Sequence, residues 1–313
     1  MRFHFLKSRR EEIIVVMLLL NTFTWFYIGH RIVAKAQDFF EESSFGGISL
    51  ILVFPLSIIL ATLASSVFTS SLNGKKVLLG WLILGTLSSM LSGFLLEDPL
   101  LALLLTFFIG FSLGFGLPSC FAYFSNVTQI EKRGKLGGIA FLLVTLTTAP
   151  IIIATSNVSI AVNTVFFTLW RAWMIPLLIL VGKDYSHLHA KSTSFRRIFG
   201  ERTLMLYFVA WLMFSLVDSF EGLVLENELT EELDFMMTTI EPLIVGIAAA
   251  VGGLISDWGG RKRVVIFGFI SLGIAYGIIG IVRTTISWIF YFLVDGIALG
   301  LLWVIFVVVI WGD

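Results

Sequence analysis

Apolar runs of about 20 residues recur ten times along this chain, and each is long enough to cross a hydrocarbon core of about 30 Å as a helix. In lipid every backbone polar group must be paired within the chain, so such runs become helices rather than open strands. They cover roughly 12–36, 46–70, 77–96, 99–123, 137–155, 159–181, 203–225, 236–256, 264–282 and 287–311. The composition agrees, with 58% hydrophobic and 13% charged residues and a mean hydropathy of +0.97, well outside the range of a soluble domain. The expected class is an all-α polytopic membrane protein. Its first run is too long for a cleaved signal and lacks a small-residue cleavage site, so it reads as a span that stays. The single cysteine, Cys120, lies inside an apolar run, which rules out an internal disulfide and suits a small packing residue.

Charge is distributed by side. If the N-terminus is cytoplasmic, the inner segments "MRFHFLKSRR", "SSLNGKK", "NVTQIEKRGKLGG", "GKDYSHLHAKSTSFRRIFGER" and "DWGGRKR" hold 17 of the 21 Lys and Arg. The outer segments "AQDFFEESS", "LEDP" and "ENELTEELD" are acidic and carry no Lys or Arg. The positive-inside rule then predicts a multi-pass protein of the cell membrane with both termini cytoplasmic. A formal net charge of zero argues against a nucleic-acid partner. His187 and His189 read as solvated loop residues rather than metal ligands, and the sequons at Asn126 and Asn157 read as chance.

Sliding the chain against itself reveals a repeat. Gly74 and Gly260, Gly110 and Gly296, Gly114 and Gly300, and Trp25 and Trp211 are all 186 residues apart. Four matches at one spacing predict a parallel duplication, two six-helix halves related by an axis along the membrane normal. The expected domains are an N-terminal bundle over 1–181, a cytoplasmic central loop over 182–202 and a partial C-terminal bundle of four helices over 203–313. Asp313 corresponds to residue 127, so the reading is ten spans of an expected twelve, in a sequence that stops short.

The stretch "GGLISDWGGRKR" contains the loop motif of the second half. Gly253, Asp257, Gly260, Arg261 and Lys262 fit the pattern G-x-x-x-D-x-x-G-R-K, which resembles the loop signature of the major facilitator superfamily. "IEKRGKLGG" after span four is similar to the acidic-then-Arg-Gly element that many members carry there. The resemblance implies the major facilitator fold and secondary transport by alternating access. The first-half copy has Ser71 where the family carries an Asp, Trp258 replaces the usual Arg, span four lacks a buried Arg, and span five offers Ala149-Pro150 rather than Gly-Pro. Proton antiport is therefore not implied by motif. Physically, the glycines allow close helix approach and a tight turn. Asp257 at a helix end can accept from the free N–H groups at the start of a neighbour, by analogy span five near Gly137. A conformational latch is preferred over a plain positive-inside turn, because topology does not need an Asp.

Six charges sit inside the apolar runs: Arg31, Arg171, Asp218, Glu221, Glu241 and Asp295. Each costs about 2.5–3.5 kcal/mol at the centre of a span unless paired or hydrated. Five of them lie roughly 6–11 Å in from the outer helix ends, in one layer, and only Arg171 is near the midplane. At 100° per residue, polar stripes form from Asn21, Thr24, Arg31 and Lys35, from Ser112, Ser119, Tyr123 and Asn126, from Tyr207, Trp211, Asp218 and Glu221, and from Tyr291 and Asp295. These stripes lie on spans 1, 4, 7 and 10, which the resemblance places around a central cavity. For Arg31, Asp218 and Asp295 a pathway role is preferred over a static ion pair or interfacial snorkelling. Glu221 and Glu241 can equally reach the outer surface. Arg171, between Trp170 and Trp173, reads as structural.

No P-loop, metal cluster or nucleophile-base motif is present, so neither enzyme activity nor a cofactor is expected. The expected function is secondary active transport of a small solute by a monomer in the bilayer, the acidic layer suggesting proton coupling. The alternative is a non-transporting sensor or scaffold of the same fold.

Overall fold

The computed structural model describes residues 2–37, 45–68, 74–95, 98–156, 158–181, 200–225, 230, 233 and 235–310. Among these residues there is no strand. Spans one to five are α1 (Arg2–Gln37), α2 (Phe45–Phe68), α3 (Gly74–Leu95), α4 (Pro99–Val127) and α5 (Arg133–Ser156). Span six is α6 (Ile160–Ala172) and α7 (Met174–Val181), interrupted at Trp173. Spans seven to ten are α8 (Arg202–Leu225), α9 (Glu241–Gly259), α10 (Arg261–Ile281) and α11 (Thr285–Trp303). Nine helices among the described residues are long and apolar enough to cross a membrane, and the apolar stretch Leu52–Ser65 of α2 is shorter. Most of the expected central loop, with His187 and His189, lies outside the described residues, as do Ser71 and Asn157.

Local chemistry fixes several helix ends. Asp98 precedes α4 in an extended conformation, and its Oδ1 accepts from the N–H groups of Leu100 and Leu101 at 3.0 Å each. Pro99 follows at the position where a missing N–H costs nothing. Thr284 and Ser287 form a capping box at the start of α11. Helix α5 begins at Arg133, four residues before the expected span. Gly134, which lies before the expected span, is helical and packs against α9: a Cβ on it would strike the Gly253 carbonyl oxygen.

The chain forms two compact units, 1–130 with 150–188, and 131–149 with 189–311. The first 17 residues of α5 thus belong to the second unit and its end to the first. The first unit is built on Trp25, Ile28, Phe54, Ile109 and Phe167, the second on Trp288, Tyr291, Phe292 and Ala275. Many exposed helix residues are large and apolar, as with Leu56 and Ile59 of α2 and Phe267 and Ile270 of α10. Such faces suit lipid, which needs no polar cover.

The duplication is visible in packing. In the first unit, Cβ atoms on Gly110 and Gly114 of α4 would meet the Phe54 and Ile58 carbonyl oxygens and the Ala61 Cβ of α2. In the second, Cβ atoms on Gly296 and Gly300 of α11 would meet the Glu241 and Val245 carbonyl oxygens and the Ala248 Cβ of α9. The glycines repeat at 186 residues but their partners at 187. The five-residue π segment Met236–Ile240 just before α9 accounts for the difference, because a π turn takes one extra residue into a helix.

Candidate functional site

In the second unit, Asp218 and Glu221 are three residues apart on α8, so they share a face. Glu241 opens α9, where the π segment ends. On α11, Tyr291 and Asp295 are one turn apart and both buried, Asp295 to 1% exposure. These helices bring the four carboxyl groups close enough to act on one another electrostatically. Glu241 and Asp295 are within hydrogen-bonding reach. A carboxylate only accepts, so a hydrogen bond between these two needs a proton on one of them.

The wall of the cluster is aromatic. The Tyr276 hydroxyl of α10 donates to Glu221 Oε2. Its ring stacks on Tyr291 at 6.4 Å between centroids, and Trp288 meets Tyr291 edge-on at 5.7 Å. Among the described residues, the Tyr291 hydroxyl and Asp295 Oδ1 have no hydrogen-bond partner, and no group of three or more His, Cys, Asp or Glu could hold a metal ion. Tyr207 and Trp211, lower on α8, are half-buried and pack against Phe306 at 6.4 and 5.4 Å.

The loop-motif residues lie at the other end of α9. Asp257 Oδ1 accepts from the Gly134 N–H at 2.9 Å and Oδ2 from the Lys135 N–H at 2.7 Å. Both donors belong to the first turn of α5, where N–H groups have no partner within the helix. Approach is close because Gly253 and Gly134 face each other; a Cβ on either would strike the other's carbonyl oxygen. Gly260 has φ 86°, a left-handed conformation that favours glycine, and it joins α9 to α10. Arg261 is half-buried and acts on Asp257 electrostatically, while Lys262 is exposed.

The remaining expected residues are in the first unit. Asn21 is fully buried; its Nδ2 donates to the Trp170 carbonyl at 2.7 Å, and its Oδ1 accepts from Arg171 at 2.6 Å. Ser119 and Tyr123 are fully buried on α4. Arg31 is half-buried and points a guanidinium nitrogen at the Ile152 carbonyl, 3.5 Å away.

No family model matches the chain, and no curated protein matches it. Solved structures do. The human organic anion transporter MFSD10 (TETRAN) superposes with a TM-score of 0.70 at 13% identity, over 95% of this chain and 85% of that one. This chain has the major facilitator fold. The proton:xylose symporter XylE, a major facilitator protein bound to 6-bromo-6-deoxy-D-glucose, superposes with a TM-score of 0.54 at 14% identity, over 95% of this chain and 81% of that one.

Within the major facilitator fold, sequence reasoning missed four participants. Tyr276 is the one tyrosine of its span, which was the available signal. The backbone donors of Gly134 and Lys135 left no side-chain signal at all. Trp81, fully buried about a third of the way along α3, departs from the interfacial preference of tryptophan and could have marked a polar interior.

Proposed function

We propose that this chain is a secondary active transporter that moves a small solute across the cell membrane by alternating access, coupled to protons. The observation that carries the reading is the group of four carboxyl groups on membrane-spanning helices, Asp218, Glu221, Glu241 and Asp295, in a chain of major facilitator fold. Like charges brought together out of water are unstable unless protons or a cation share the site, and a shared proton is what a coupled carrier must take up and release. One of the structural neighbours is a proton symporter, which supports this coupling. Asn21, Arg31, Ser119, Tyr123, Tyr207, Trp211 and Tyr291 complete the proposed pathway, with Gly253, Asp257, Gly260, Arg261 and Lys262 as the proposed latch. When the latch is closed, Asp257 holds the first turn of α5, and its release accompanies the change of exposure.

The test is flux into proteoliposomes carrying an imposed proton gradient, using a panel of small solutes. Asp295→Asn and Asp218→Asn should each lower gradient-driven uptake by about tenfold or more while leaving solute exchange without a gradient measurable. Unchanged gradient-driven uptake in both variants would remove the carboxylate cluster from the coupling. No uptake of any solute by the parent would favour a sensor or scaffold of this fold.

A further inference from the structure

The carboxyl cluster of the second unit also bears on the class of solute, an inference that rests on the transport reading. Asp218, Glu221 and Glu241 are half-buried, and so is Tyr276, so the cluster has an accessible side. Glu221 is four residues from the end of α8, and Glu241 is six residues beyond Phe235, where the helical chain leading into α9 is already formed. At 1.5 Å per residue these two groups lie about 6–9 Å inside the helix ends, within reach of a molecule entering from that side of the membrane. Packing does not fill the flank of the cluster. Gly273 and Gly280, three residues before Tyr276 and four after it, share its face of α10, and a Cβ on either meets nothing within 4 Å.

The charge of the site calls for a cation. The groups that act electrostatically on Glu221, Glu241 and Asp295 are carboxyl groups and the Tyr276 hydroxyl, with no Lys or Arg among them. Behind the accessible side, Asp295 and Tyr291 are 1% and 2% exposed, and Asp295 Oδ1 and the Tyr291 hydroxyl have no hydrogen-bond partner among the described residues. A metal ion is the wrong size for this arrangement. It needs several oxygens about 2.0–2.6 Å from one centre, and no three of these carboxyl groups are grouped to hold one. A larger cation can span them. The wall suits its carbon atoms, because Tyr276 stacks on Tyr291 and Trp288 meets Tyr291 edge-on, and aromatic rings attract organic cations.

We propose that the solute is an organic ammonium ion, its nitrogen held between the half-buried carboxyl groups of α8 and α9 and its carbon skeleton against Tyr276. Asp295 contributes charge rather than contact, since a carboxyl group behind the first layer still attracts a cation where water is scarce.

The experiment is calorimetric titration of the purified full chain in an uncharged detergent with benzylammonium, benzyl alcohol and benzoate, and separately with sodium and magnesium chloride, at one pH and ionic strength. The three organic probes share a ring and differ in charge, and benzylammonium is a minimal ion with both a charged nitrogen and an aromatic body. Saturable binding of benzylammonium alone is expected. Glu241→Gln and Asp218→Asn should each weaken it by about tenfold, the loss of one charge-assisted hydrogen bond. Asp295→Asn should weaken it less, because it acts at a distance. Unfolding midpoints check that the variants fold, and the comparison of probes on the parent tests the proposal even where a variant does not. No saturable binding of benzylammonium, equal binding of benzyl alcohol or benzoate, saturation by the metal salts alone, or unaltered affinity in both Glu241→Gln and Asp218→Asn would overturn it. The two readings fail separately. Gradient-driven uptake of a neutral or anionic solute with no benzylammonium binding would overturn the cation and keep the carrier, whereas benzylammonium binding with no uptake of any solute would keep the cation site and remove the carrier.

Discussion

At the scale of single residues, Asp257 does work that its charge alone does not reveal. A carboxylate facing the first turn of a helix satisfies N–H groups that lack internal partners and meets the positive end of the helix dipole. Both oxygens of Asp257 are engaged, one on Gly134 and one on Lys135. Removing such an acceptor costs about 0.5–2 kcal/mol in soluble hosts. Asp257→Ala should therefore lower the thermal midpoint of the purified protein by a few degrees, and Asp257→Asn, which keeps one acceptor and loses the charge, by less. Equal midpoints for all three proteins would mean that the contact stabilises nothing. If the latch reading holds, the same variants also shift the balance between inward-open and outward-open states, measured by cysteine accessibility, without loss of insertion.

At the scale of elements, the packing of α5 on α9 depends on side chains that are absent. Gly134 and Gly138 of α5 face Gly253 and Ala249 of α9, and Gly246 faces Thr145. Small residues are what allow helix backbones to approach in a membrane, where lipid tails already satisfy large apolar surfaces. Gly253→Val should cost about 1–3 kcal/mol through forced separation of the two helices, read as a lowered unfolding midpoint. Gly277→Ala in α10 is the control: a Cβ there meets nothing within 4 Å, so its midpoint should hold or rise. A fall of the same size in both variants would show that helix propensity, not approach, governs the glycines. This element scale is also where the sequence was partly legible. The 186-residue repeat exposed the duplication because glycines at close approaches stay at fixed positions. It could not expose the one-residue shift in their partners, since a π turn at Met236–Ile240 has no side-chain signature. The same limit hid the start of α5. "GKLGG" looks like a loop until a second helix is there to need its glycines. The acidic layer was readable from the depth of Asp218, Glu221, Glu241 and Asp295, whereas the environment of Arg171 needed Trp25, Trp81 and Gly85 brought together from two other helices.

At the scale of the whole molecule, the charge pattern makes the orientation testable. Lys and Arg crowd the segments on one side of the alternating spans, and a basic loop is held on the cytoplasmic face during insertion. The short connection before α6 and the one between α4 and α5 fall on opposite sides if every intervening helix crosses. Ser159, exposed just before α6 and without a side-chain capping bond, should then face outward, and Gln129, exposed after α4, should face the cytoplasm. The native Cys120 is buried, and Cys120→Ser supplies a background without thiols. In that background, Ser159→Cys should react with a membrane-impermeant maleimide on intact cells, while Gln129→Cys should react only after the membrane is opened. The reverse pattern would place the termini outside and move the proposed latch to the outer face. Reaction of both sites on intact cells would mean that α5 does not cross, and the alternation of basic and acidic segments would then need another cause.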